Sequence, residues 1–288
     1  MLFSLILSTK GRVNELEKFF RSLSAQTVQD FEIILVDQND DDRLAHLVKD
    51  LKFDRPPIYL KSSGGLSKGR NDGLAHATGE IVGFPDDDCC YPPQLLQHVA
   101  LFFDTHPDYG FLSGRSFADD GGDAVSRHAT NASPIRRETI YTQCIEFAFF
   151  LRRADLGAMR FDENMGVGSV APWQSDEGPD LMLRMMERGI RGYYDPQYGV
   201  WHPRPICSYD DRAIDRSYRY ACGSGYFLRK HRYPLRHFGY LTARTLCGFG
   251  LACLTLNAGK ARFFWARIRG RWRGWRGYAE GVVLSGHK

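Results

Sequence analysis

The sequence predicts an α/β fold: a doubly wound, mostly parallel sheet followed by a C-terminal helical extension rich in basic and aromatic residues. Three observations predict it. Short apolar runs alternate with segments of helical period, acidic residues fall directly after those runs, and the chain changes character beyond Tyr218. Strands alternating with helices imply parallel pairing through helical crossovers. In such sheets ligands bind beyond the carboxyl ends of the strands.

The elements follow in order. Leu2-Phe3-Ser4-Leu5-Ile6-Leu7 is a strand, Ser8-Thr9-Lys10-Gly11-Arg12 a loop, and apolar residues at Val13, Leu16, Phe19, Phe20 and Leu23 mark a helix face. Phe31-Glu32-Ile33-Ile34-Leu35-Val36-Asp37 is the second strand, residues 44–51 a short helix, and Ile58-Tyr59-Leu60 the third strand. A glycine-rich loop opens at Gly64-Gly65 and leads to the apolar strand Glu80-Ile81-Val82-Gly83-Phe84. Residues 95–103 read as a helix and Phe111-Leu112-Ser113-Gly114 as a strand. The polar stretch 119–134 reads as a loop. A strand is expected over 147–152, then an acidic segment, then a helix over 181–189 ending at a glycine cap.

With 288 residues and 43% hydrophobic content, the chain can bury the core of one large α/β domain, or of one domain with an appendage. The expected division is 1–217 for the sheet domain and 218–288 for the extension. The net charge of +4 is unevenly spread. Residues 260–288 carry eight Lys/Arg against Glu280, which leaves 30 basic and 33 acidic residues, a net −3, in the first 259. Seven cysteines without zinc-type spacing, two of them adjacent at Cys89-Cys90, suit reduced thiols in a cytoplasmic protein. Residues 1–7 lack a basic flank and a cleavage site, and read as the first buried strand rather than a secretory signal.

Three consecutive carboxylates, Asp86-Asp87-Asp88, follow the strand that ends at Phe84. Such a triplet repels itself unless a hard divalent cation neutralises it, and carboxylate oxygens are the ligands that Mg²⁺ or Mn²⁺ takes. A metal-bound diphosphate is the matching guest. The competing reading is a solvated acidic turn capping a helix that starts near Pro92. Thr9, Asp37 and Asp86 all fall at carboxyl ends of strands, so periodicity alone points to a nucleotide-type crevice but not to sugar transfer.

The order of the pieces resembles the family 2 glycosyltransferases with their GT-A fold. An apolar first strand ends in Ser8-Thr9, a second in Val36-Asp37, Gly69-Arg70-Asn71 follows, and Gly79-Glu80 leads through an apolar strand to Asp86-Asp87-Asp88. The resemblance spans residues 1–205. It implies that Asp88 ligates Mn²⁺ or Mg²⁺, that Asp86 faces the ribose or shares the ion, and that Asp37 contacts the base. Thr9, Arg12, Asp87 and Asn71 would line the donor site, with Arg70 pairing a phosphate through its planar fork. His202 falls where relatives place a late histidine near the metal or diphosphate.

The base position departs from the family. Relatives carry Glu-Asp-x-Asp-Leu with an Arg four residues after the second Asp, whereas here Glu177-Gly178-Pro179-Asp180-Leu181 is followed by Arg184. Gly178 stands at the customary base. Glu177, then Asp176, are the expected substitutes, with Asp180 capping the helix or pairing with Arg184. Trp173 would stack on an acceptor sugar or belong to the core.

The resemblance implies an inverting, metal-dependent transferase. It would move a single sugar from a UDP- or GDP-type donor to a glycan or lipid-linked acceptor in cell-surface polysaccharide synthesis. The Gln-x-x-Arg-Trp of processive relatives is absent. A non-catalytic nucleotide-sugar or glycan-binding relative and a sugar-phosphate nucleotidyltransferase are the alternatives.

Residues 240–259 are apolar with the single charge Arg244, but Arg244 and Asn257 make them a poor match to the ~20 apolar residues a spanning helix needs. Residues 260–276 interleave Lys260, Arg262 and Arg276 with Phe263, Phe264, Trp265, Trp272 and Trp275. That mixture suits the surface of an anionic membrane, and a peripheral position on its cytoplasmic face is expected. Nucleic acid is not an expected partner. A core helix with a solvated basic tail is the competing reading.

Overall fold

The structure is a computed structural model that describes residues 1–205 and 208–279. Glu280 and Lys288, counted above in the basic tail, lie outside the described residues. In chain order the elements are β1 (Phe3–Thr9), α1 (Asn14–Ser24), β2 (Phe31–Asp37), α2 (Ala45–Asp50), β3 (Ile58–Lys61), α3 (Leu66–Leu74), β4 (Ile81–Gly83), α4 (Leu95–Thr105) and β5 (Tyr109–Phe117). They continue with β6 (Ser133–Pro134), α5 (Ile140–Gln143), β7 (Phe149–Arg152), α6 (Arg153–Leu156), α7 (Glu177–Glu187), β8 (Arg191–Trp201), α8 (Asp211–Lys230), α9 (Leu235–Leu254) and α10 (Ala258–Ala279).

The described strands form one sheet in the order β3-β2-β1-β4-β7-β5-β8-β6. Neighbours β1–β2, β1–β4, β2–β3 and β5–β8 run parallel, while β7 is inserted antiparallel between β4 and β5. Every residue of β1 and β2 is buried, which is why both read as mostly apolar runs, broken at Ser4 and Glu32, which hydrogen-bond to one another. Phe3, Leu5 and Leu7 join a core with Leu16, Phe19, Phe20 and Leu23 of α1 and Leu96, Val99 and Phe103 of α4. The alternate residues Ile6 and Ser8 meet α3 on the opposite face. Register aligns Thr9 with Asp37 and Asp37 with Lys61, so the first three strands end level with one another.

By its own contacts the chain forms two compact units. One comprises Met1–Phe161 and Gly178–Pro205; the other comprises Asp162–Glu177 and the C-terminal segment that starts at residue 206. The division expected at 217 falls inside α8, a continuous helix that Asp210 caps by accepting the Ala213 N–H at 2.7 Å. A helix held together by its own hydrogen bonds is no place for a linker, and the change of unit lies upstream of it.

Three further expectations are corrected. The glycine-rich segment is not a loop. Residues 66–74 form α3, because Gly69 lets the helix sit so close to the sheet that a Cβ there would lie 2.3 Å from Ser8 Oγ and 2.4 Å from Gln38 Nε2. Mid-helix glycine costs helix propensity on the order of 1 kcal/mol, and packing overrides it. The helix expected from Leu181 begins at Glu177. β8, an 11-residue strand with a register shift against β5 between Ser113 and Arg115, is an element beyond the expected ones.

In the second unit α8 and α10 are in contact along glycines. A Cβ on Gly225 would lie 2.0 Å from the Arg271 carbonyl oxygen and one on Gly274 1.9 Å from that of Cys222. Trp173 is 1% exposed and stacks on Tyr226 at 5.1 Å, so it is core and not an open stacking platform. Among the described residues no helix is long and apolar enough to cross a membrane. The 240–259 segment is divided between α9, a short turn and the start of α10.

Candidate active site

The acidic triplet sits just past β4, at the carboxyl end of the parallel strands. Phe84 is fully buried between Phe149 and Phe161, with ring centroids at 6.3 and 4.9 Å, and anchors the exit of the strand. The chain then turns: the Cys89 N–H donates to the Asp86 carbonyl at 3.3 Å. Cys90 next forms a two-bond antiparallel bridge with Trp201, at 2.9 and 3.0 Å. That bridge carries His202, at the end of β8, to Asp88.

Each carboxylate of the triplet has its own cationic or hydroxyl partner. Arg70, 2% exposed, reaches Asp86 at 3.2 Å and lies 5.3 Å from the centre of the Phe161 ring. Thr9 donates to Asp87 at 2.6 Å, and Arg12 reaches Asp87 at 3.2 Å and also contacts Asp88. His202 Nε2 lies 3.2 Å from Asp88 Oδ1. The ring stacks on Phe147 at 4.7 Å, and Nδ1 is 2.7 Å from the Pro203 carbonyl. A carbonyl can only accept, so Nδ1 carries the proton and Nε2 is the nitrogen aimed at the carboxylates.

The electrostatics divide the triplet. Burial raises Asp88, but hydrogen bonds from His202 and Arg12 outweigh it and hold the carboxyl at about 2. Burial wins at Asp87, pushed up to about 6 against Thr9 and Arg12, and at Asp86, raised despite Arg70. Burial lowers the His202 imidazole, yet Asp88 brings it above its ordinary value. Ligand atoms of Asp86, Asp88 and His202 all lie within 4.8 Å of one another. Two carboxylate oxygens and an imidazole nitrogen with its second nitrogen tethered are a donor set that fits Mn²⁺, and, with more water, Mg²⁺.

Asp37 is fully buried at the end of β2. Its Oδ1 accepts from the Asn39 backbone and side chain at 2.8 and 2.7 Å, and its Oδ2 accepts from Tyr59 at 2.6 Å and pairs with Lys61 at 3.0 Å. Burial raises this carboxyl, and the four hydrogen bonds bring it below its ordinary value. A base ring N–H would share an acceptor with these donors. Asn71, expected on the donor, clasps the backbone of Phe161 instead, accepting its N–H at 2.8 Å and donating to its carbonyl at 3.0 Å. The helical register of α3 turns it toward that strand exit.

The expected bases belong to the second unit. Asp176 has a left-handed backbone, φ 64°, and accepts from Ser175 Oγ at 2.7 Å. Burial and the neighbouring Glu177 charge push it up to about 6, against Ser175 and the attraction of Arg267 and Arg271. Glu177 is 5% exposed as the first residue of α7. Asp180 is fully buried and pairs with Arg184 at 2.8 Å, one of the two roles expected of it. In the first unit, space at Gly178 is filled by Glu146: a Cβ on Gly178 would lie 2.1 Å from its Cγ. Reading of the sequence missed Glu146 and Lys61. A single acid inside the apolar run Ile145-Glu146-Phe147-Ala148-Phe149-Phe150 was the available signal.

A mostly parallel sheet with the buried Arg70 and a carboxylate–histidine cluster at its carboxyl edge is a fold of GT-A type. The family model for glycosyl transferase family 2 matches residues 4–162, and the chain belongs to that family. Relatives include an uncharacterised glycosyltransferase of Nostoc, 30% identical over 138 residues, covering 46% of this chain and 42% of that protein. An uncharacterised glycosyltransferase of Haemophilus influenzae is 23% identical over 212 residues, 72% of this chain and 68% of that protein. The chain thus spans less than half of the Nostoc relative. The crystal structure of S. aureus TarS 1-349 in complex with UDP-GlcNAc matches with a TM-score of 0.55 at 18% identity, covering 98% of this chain and 92% of that one, which shows a shared fold.

Proposed function

We propose that this glycosyltransferase moves one sugar, with inversion, from a nucleoside diphosphate sugar to a glycan or lipid-linked acceptor, in a divalent-cation-dependent reaction of cell-surface polysaccharide synthesis. The observation that carries the reading is the convergence of Asp86, Asp88 and His202 beside Arg12 and Arg70 at the carboxyl edge of the sheet. UDP, the nucleotide of the donor bound by TarS, is the favoured carrier.

In this reading Asp86, Asp88 and His202 hold Mn²⁺ or Mg²⁺, which when bound offsets the diphosphate charge of the departing nucleotide. Arg12 and Arg70 supply fixed positive charge at the same edge and draw the anionic donor in. Thr9 and Asp87 shape the floor of the crevice, and Asp37 with Asn39 offers hydrogen bonds to the base. A carboxylate takes the acceptor hydroxyl's proton as the new C1–O bond forms on the face opposite the leaving group. The test is nucleoside diphosphate release from UDP- and GDP-sugars with Mn²⁺ and after chelation. Metal-dependent release supports the reading. Binding without release makes the chain a non-catalytic relative.

We propose further that α9 and α10 rest on the cytoplasmic face of an anionic membrane. Residues 235–279 carry nine Lys/Arg and no Asp or Glu. Leu254 and Leu256, at the turn between the two helices, are 83% and 91% exposed, and Trp265 and Trp272 about half. Apolar tips ringed by cations suit anionic lipid, and a lipid-linked acceptor would lie in the same surface. Co-sedimentation with phosphatidylglycerol vesicles, weakened by salt and absent with phosphatidylcholine alone, tests this.

A further inference from the structure

Residues 143–151 form a buried run in which Glu146 alone is partly exposed. A carboxylate in such a run needs a hydrogen-bonding or charged partner, or solvent, at its head. The backbone around it is firmly placed: the Ile145 N–H donates to Ser113 Oγ, and Tyr91 and Tyr198 donate to the Phe147 and Ala148 carbonyls. The next residue, Phe147, stacks on His202, whose Nε2 faces Asp88. Glu146 is therefore one residue from the ring that closes the acidic cluster. On its other side the side chain fills the space over Gly178, with Oε1 2.6 Å from where a Cβ would be.

We propose that Glu146 is the catalytic base of the transfer, its carboxylate having replaced a side chain at position 178; this rests on the transferase reading above. As the acceptor oxygen bonds to C1, its proton passes to Glu146. The bond from C1 to the diphosphate oxygen breaks, and that oxygen leaves with the electron pair. Asp176 is engaged by Ser175 and the charges of Arg267 and Arg271, and Glu177 is 5% exposed at the start of its helix.

The pairing of a glycine with an intruding glutamate supplies a test that a merely structural role would fail. Wild type, Glu146→Gln, Glu146→Ala and the double variant Glu146→Ala/Gly178→Asp are compared for hydrolytic release of UDP or GDP from UDP-GlcNAc, UDP-glucose, UDP-galactose and GDP-mannose with Mn²⁺. Water serves as the acceptor, and the melting-temperature shift with UDP and Mn²⁺ reports donor binding. General-base loss predicts a fall of about 100-fold or more in both single variants with the UDP shift retained. The double variant, with a carboxylate returned from the other side, regains at least tenfold over Glu146→Ala. Glu146→Gln within threefold of wild type, loss of its UDP shift, or a double variant no faster than Glu146→Ala overturns the assignment of Glu146. Wild type that releases no nucleotide from any donor overturns the transferase reading itself.

Discussion

The two ends of the parallel sheet treat their carboxylates in opposite ways. At the amino end Glu32, 7% exposed, accepts from Ser4 Oγ, from the Thr78 N–H and hydroxyl at 2.7 and 2.8 Å, and from the Gly79 N–H at 3.3 Å. Burial raises its carboxyl, but these neutral donors together bring it below its ordinary value. At the carboxyl end three acids crowd one turn, and Asp86 and Asp87 hold their protons more tightly than free carboxyls despite Arg12 and Arg70. Neutral donors in sufficient number make a carboxylate a structural clamp. Crowded carboxylates out of water are raised by burial and by one another even beside cations. The contrast separates a carboxylate satisfied by neutral donors from carboxylates crowded into one turn.

The largest effect expected from breaking that contrast is at Asp88. Asp88→Ala should lower Mn²⁺-dependent nucleotide release by roughly 1,000-fold, on the order seen for lost electrostatic stabilisation, without lowering the melting temperature. A stability loss in step with the activity would make the carboxyl end a clamp like the amino end. His202→Phe, which keeps the stack on Phe147 but removes Nε2, should weaken Mn²⁺ dependence by about 10–100-fold, read as the metal concentration for half-maximal rate. An unchanged requirement would remove His202 from the cluster.

Glu32→Gln tests the other end. It should destabilise the fold by about 1–3 kcal/mol at pH 7 in urea unfolding while turnover stays within threefold. A carboxyl lowered on folding adds stability above its unfolded value and loses it as pH falls through the folded value. The difference between wild type and Glu32→Gln should therefore shrink on acidification below about pH 4.3 and vanish at lower pH. A difference that grew toward acid would refute the clamp. The smallest effect is at Asn71: Asn71→Ala should lower stability by about 1 kcal/mol through the lost clasp on Phe161, leaving donor KM unchanged. A raised KM with intact stability would return Asn71 to the donor site.

The legible parts share one property: their signal is local. β1 and β2 are buried on both faces and therefore print as mostly apolar runs, and the Asp triplet follows an apolar strand directly. α3 was misread because its glycines look like a loop when the sheet beneath them is invisible. The clasp of Asn71 on Phe161 was not legible either, since a residue's facing depends on helical register. Glu146 escaped because its meaning lies in Gly178, 32 positions away.

By itself the sequence determined the parallel-sheet class, the carboxyl-edge location of Thr9, Asp37 and the aspartates, and the acid-free basic C-terminal helices, since each follows from period, composition or nearest neighbours. Tertiary structure alone decided which partner each aspartate meets, that the Cys90–Trp201 bridge brings His202 to Asp88, and that Glu146 fills the place left by Gly178. Those are contacts between residues far apart in the chain, and only the closing of the sheet around its core sets such distances.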